Sequence, residues 1–136
     1  MVKDLSRAKR IASVLELMER VSRSELVEST RLADDAKQAH DEAMASLTSD
    51  DFLSGPFIDL LAKRLPRLAV AAEVMDQRRA KTLGVWQGRQ MRAVASTRLV
   101  DEAQNEHDRQ REGRDLAELL ELLQNRPLQA SGKSGE

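Results

Sequence analysis

The chain has 136 residues, 33% charged and 40% apolar, with a formal net charge of −1 and only three aromatics, Phe52, Phe57 and Trp86. Ala and Leu supply about two-thirds of the apolar set. A β-sandwich, barrel or doubly wound sheet draws its core volume from aromatic and β-branched residues, so these architectures are excluded. High Ala, Leu, Glu, Arg and Gln instead point to long helices.

The absence of Cys excludes a disulfide framework, a thiolate metal site and a thiol nucleophile. No apolar run approaches the ~20 residues of a membrane span. The basic N-terminal stretch MVKDLSRAKR is not followed by an unbroken apolar segment, so a secretory signal is not expected. The expected location is the cytoplasm. A net charge near zero argues against general nucleic-acid affinity.

From Asp4 to about Leu47 there is no Gly and no Pro. Ile11, Val14, Leu15, Met18 and Val21 fall at helical spacing on one face. Leu26, Leu32, Ala33, Ala36, Ala39, Ala43 and Leu47 continue the pattern. Val21, Leu32 and Ala43 lie 11 apart, which predicts a straight or weakly right-handed seam rather than a strict heptad. A helix of ~44 residues is ~65 Å long at 1.5 Å per residue. That exceeds a compact domain of this size and predicts an elongated coiled coil.

The first helix is expected over about 4–48. The pattern breaks at Thr48-Ser49-Asp50-Asp51 and at Ser54-Gly55-Pro56. Pro56 suits the first turn of a new helix, with Ser54 or Gly55 as cap. Phe57, Ile58, Leu60, Leu61 and Leu65 form a dense apolar stretch, which Pro66 interrupts. An interior Pro costs ~3 kcal/mol. A connector is therefore expected over 49–65, with a short helix ending near Leu65 or a kink at Pro66.

A second helix is predicted over about 66–125, weakened by about 1 kcal/mol at each of Gly84, Gly88 and Gly113. Residues 126–136 read as a disordered tail.

These elements predict an all-α fold, an elongated antiparallel two-helix coiled-coil hairpin over 1–125 with a longer second helix. A turn centred between Phe52 and Phe57 pairs residue i with a residue between 104 − i and 114 − i. Trp86 then falls opposite the Met18 region. Helix 1 runs out first, leaving some 15 to 25 residues of helix 2 without a partner in the chain. Residues 104–115, QNEHDRQREGRD, contain no apolar residue, as a lone solvated helix requires. Leu116, Ala117, Leu119, Leu120, Leu122 and Leu123 then make a strongly apolar stretch. An apolar patch on an unpartnered helix end marks a contact site; folding back or self-pairing are the alternatives.

No catalytic constellation appears. Gly132-Lys133-Ser134 imitates the end of a phosphate-binding loop, but position 127 is Pro and the earlier Gly is missing. Glu102, Glu106 and His107 share two helical turns, an arrangement common on polar helices, and no metal site or cofactor is expected. His40 reads as a solvated helix residue, and Asp50-Asp51 as a cap or turn. Residues 66–100 carry a net +5 and residues 101–121 a net −5. Nucleic-acid binding would need a denser stripe with stacking aromatics, and it is not expected. The candidate partner-binding residues are Phe52, Phe57, Leu60 and Leu61 at the turn and Leu116, Leu119, Leu120 and Leu123 at the helix end.

The stretch RIASVLELMERVSRSELVESTRLADDAK resembles the FliJ family of flagellar and type III secretion export proteins. ASTRLVDEAQNEHDRQREGRDLAELLELL is similar to that family's closing helix, an Arg/Glu/Gln-rich run ending in Leu pairs. The likeness covers about two-thirds of the chain and rests on pattern, with no invariant motif to carry over residue by residue. The connector with Pro56 and Pro66 departs from the family's smoother hairpin. The resemblance implies a non-catalytic stalk like the γ subunit of rotary ATPases. Its helical ends, Ala8 to Met18 with Val94 to Leu123, would enter the export ATPase ring, and the tip around Phe52 to Leu65 would meet the export gate. It also implies contact with export chaperones and a place peripheral to the inner membrane, reached only through partners. The alternatives are a helical export chaperone or adaptor that binds a client protein through Leu116 to Leu123, and a self-assembling coiled-coil scaffold, a homo-oligomer.

Overall fold

The computed structural model describes the backbone of residues 2–48 and 55–134 and the side chains of residues 4–48 and 55–125. The described residues are wholly helical, a two-helix hairpin: α1 spans Val2–Thr48 and α2 spans Gly55–Ser134, 47 and 80 residues respectively. The second helix is the longer, as the sequence predicts.

The start of α2 differs from expectation. It begins at Gly55, not at Pro66, so residues 55–65 are helix and not connector. Pro56 explains the early start, because its missing N–H falls in the first turn, where that group has no intrahelical partner. The helix runs on through Pro66, which excludes a helix end at Leu65. The tail expected over 126–136 begins within α2, which runs to Ser134; its side chains lie outside the described residues.

Contacts divide the chain into two units, residues 15–93 and residues 1–14 with 94–136. In the first, the buried and half-buried positions of α1 are Leu15, Glu19, Ser22, Leu26, Ser29, Ala33, Ala36, His40, Ala43 and Leu47, with Met18, Thr30, Leu32 and Ala39 beside them. Steps of four and three alternate throughout, the spacing of a heptad seam. On α2 the same alternation runs through Leu61, Leu65, Leu68, Ala72, Met75, Arg79, Thr82, Trp86, Arg89 and Ala93. Cross-helix hydrogen bonds fix the register: Ser29 meets Thr82 at 2.6 Å and Arg89 donates to Ser22 at 2.5 Å, both pairs adding to 111. Trp86 donates to Glu19 at 3.1 Å, adding to 105. All fall between the limits of 104 and 114 set by the turn, and Trp86 reaches Glu19, the residue after Met18, in the expected region.

The composition of this seam was not expected. Its middle is polar: Glu19, Ser22 and Ser29 are 7%, 1% and 4% exposed. Val21, expected in the seam, is exposed, and Ile11 and Val14 in the other unit are exposed as well. The strict heptad corrects the 11-residue reading. Small side chains let two helices approach closely, which suits Ser22, Ser29 and Ala33 to the buried positions while Val21 is turned outward.

In the second unit, Leu5 and Ala12 are buried on α1 with Ala8 half-buried, and α2 contributes Ser96, Val100, Ala103, His107 and Gln110 at the same three–four spacing. Leu5 and Asp4 share a crevice with Ala103, Glu106, His107 and Gln110. Here the antiparallel seam ends.

Candidate docking surface

Beyond Gln110 every residue from Arg111 to Asn125 is exposed. These 15 residues match the lower limit of the predicted overhang. Leu116, Leu119, Leu120, Leu122 and Leu123 expose 61%, 55%, 58%, 65% and 58% of their surfaces. Burying an exposed Leu is worth about 1.5–3 kcal/mol, so this stretch holds a large unused contact energy.

The leucines do not extend the seam. At about 100° per residue, Leu116, Leu119, Leu120 and Leu123 centre roughly 150° round α2 from Ala103, His107 and Gln110. Continuing the seam's three–four steps from Gln110 gives Arg114, Ala117, Glu121 and Gln124, a largely polar face. A partner on the leucine stripe therefore approaches from the flank opposite α1. The sequence shows the cluster; only the seam's register shows its direction.

The turn candidates belong to the other unit. Phe57, Ile58 and Leu60 are exposed at 60%, 43% and 56% in the first turns of α2. Leu61 is half-buried as the first seam position of α2, so it packs within the hairpin more than it presents a surface. Phe52 lies outside the described residues, as does Leu53.

The electrostatics are those of a structural seam. Glu19 Oε1 accepts from Arg23 Nε and Nη2 at 3.1 and 2.6 Å and from Trp86 Nε1 at 3.1 Å. The Arg23 hydrogen bond holds the Glu19 carboxyl below its ordinary range; desolvation opposes this, and the Trp86 bond adds to it. On the surface, Arg31 bonds Glu28 and Asp35, lowering the Glu28 carboxyl and raising the Arg31 guanidinium. Such exposed pairs contribute little to stability. Among the described residues, no group of three His, Asp or Glu side chains is placed to hold a metal ion. Among the described residues, no helix is long and apolar enough to cross a membrane.

No protein-family model, no curated protein and no solved structure matches this chain.

Proposed function

We propose that the chain is a non-catalytic coiled-coil component of a flagellar or type III protein export apparatus, a stalk-like element that couples the export ATPase to the export gate. One observation carries the docking part of this reading: 15 consecutive residues of α2 are exposed among the described residues and present five leucines to solvent. The export assignment is supported by the resemblance of the stretches that begin at Arg10 and Ala95. In this reading the leucine stripe engages the ATPase, and the exposed Phe57, Ile58 and Leu60 are the corresponding surface at the turn for the gate. Export chaperones are the further partners that the resemblance implies. The protein works in the cytoplasm and reaches the membrane through its partners. No cofactor takes part.

The purified full chain should capture the export ATPase of its own cell, and deleting the gene should abolish swarming. A motile deletion strain overturns the proposal.

A further inference from the structure

The geometry points to a second copy of this chain as an occupant of the leucine stripe: residues 116–123 pair antiparallel with the same residues of another molecule across a two-fold axis. The inference does not rest on the export reading.

The spacing carries it. Leu116, Leu119, Leu120 and Leu123 form the pattern L-x-x-L-L-x-x-L, which reads identically in both directions about the midpoint between Leu119 and Leu120. The same midpoint exchanges Glu118 with Glu121. A two-fold interface requires a patch that matches its own rotated image. The antiparallel arrangement sets Leu116 against Leu123 of the second copy and gathers both copies' Leu119 and Leu120 on the axis.

Position and charge agree with this pairing. The stripe is exposed and lies on the flank away from α1, so no described residue of its unit blocks a second helix. Glu118 and Glu121 fall roughly 150° from the centre of the stripe, outside the contact. Opposite Asp115 the second copy presents Leu123, Gln124 and Asn125, none of them charged. A parallel pair would instead set Glu112 and Asp115 against their own images, and like charges in contact are unfavourable. Four leucines from each copy make an interface at the low end of specific sizes. The dimer is therefore weak and concentration-dependent, and a protein bound to the stripe competes with it.

Sedimentation of the full chain over a wide range of loading concentrations tests the inference. The wild type should pass from monomer to dimer, and Leu119→Asp with Leu120→Asp should stay monomeric with unchanged helicity. Because the chain has no Cys, single cysteines report the direction. Leu119→Cys lies on the axis and should form an intermolecular disulfide. Glu112→Cys lies about 22 Å from its image in the antiparallel pair and should not, since a disulfide needs Cα atoms within about 7 Å. A wild type that is monomeric at every concentration overturns the inference, and so does Glu112→Cys cross-linking as readily as Leu119→Cys. ATPase capture by a strictly monomeric chain overturns self-pairing while sustaining the export reading. A dimer that captures no ATPase does the reverse.

Discussion

Two adjacent residues of α1 separate the observed seam from the one that hydrophobicity alone would choose. Ser22 is 1% exposed and accepts a hydrogen bond from Arg89, whereas Val21 is 47% exposed. Ser22→Val removes an acceptor for a charged donor, a loss of about 1.5–3 kcal/mol when the donor is left buried. Arg89 is half-buried, so water recovers part of that loss. The added methyl groups overfill a closely packed position, which costs about 1–3 kcal/mol. A net destabilisation of about 2 kcal/mol follows. Val21→Ser removes a side chain that is already half in water, and full burial of Val is worth only about 1.5–3 kcal/mol; its loss should be about half of that, about 0.8–1.5 kcal/mol. For a chain of this length, 2 kcal/mol corresponds to a fall in Tm of roughly 6–12 °C. Thermal and urea denaturation followed by circular dichroism at the helical minimum would measure both variants. If Val21→Ser is the more damaging, or Ser22→Val stabilises, the assignment of the seam is wrong.

Other outcomes follow from the same contacts. The Ser29 and Thr82 hydroxyls touch each other and also the carbonyls of Leu26 and Arg79, so two protons serve three contacts. Ser29→Ala alone should therefore change stability by under about 0.5 kcal/mol, because Ala's better helix propensity offsets the lost bond. A double-mutant cycle with Thr82→Val should show a coupling of about 0.5–1 kcal/mol. Glu19 has its carboxyl lowered in the folded chain, so the stability it contributes is present above the ordinary carboxylate pKa and is lost as pH falls through the lowered value. The gap in Tm between wild type and Glu19→Gln should accordingly narrow on acidification. A Cβ added at Gly84 or Gly88 meets nothing within 4 Å, and neither has a positive φ. Each Gly→Ala replacement should stabilise by up to about 1 kcal/mol in urea titrations. Leu119→Asp with Leu120→Asp should leave Tm within a few degrees of wild type, since both side chains are exposed.

Much of this architecture is legible in residue order. The run without Gly or Pro from Asp4 to Leu47 and the break at Thr48 to Pro56 define two helices and a turn. The turn's position limits the register closely enough to bring Trp86 to the Met18 region and to leave residues 111–125 of α2 exposed. What the hydrophobic pattern obscures is the seam itself. Ile11, Val14 and Val21 attract attention because they are large and apolar. The contact is instead lined by small or polar residues, Ala12, Glu19, Ser22, Ser29 and Ala33 among them, at strict heptad steps. In a two-helix contact, distance of approach selects residues as strongly as hydrophobicity does. Sevenfold repetition of small residues, Ser22, Ser29, Ala36 and Ala43, marks one line of that contact in the sequence. Gly55 as the start of α2 was signalled by Pro56; the cost assigned to Pro66 hid it.

The leucines at the end of α2 are plain in the sequence, but their direction is not. Their face is defined only once Ala103, His107 and Gln110 mark where α1 lies. That direction turns the exposed cluster to the flank away from α1.

The most direct test of docking by this surface is capture of the cell's export ATPase by the purified chain, compared with Leu119→Asp and Leu120→Asp combined. Stoichiometric capture by the wild type, lost in a variant of equal helicity, is the expected result. Equal capture by both, or capture by neither, would contradict the account.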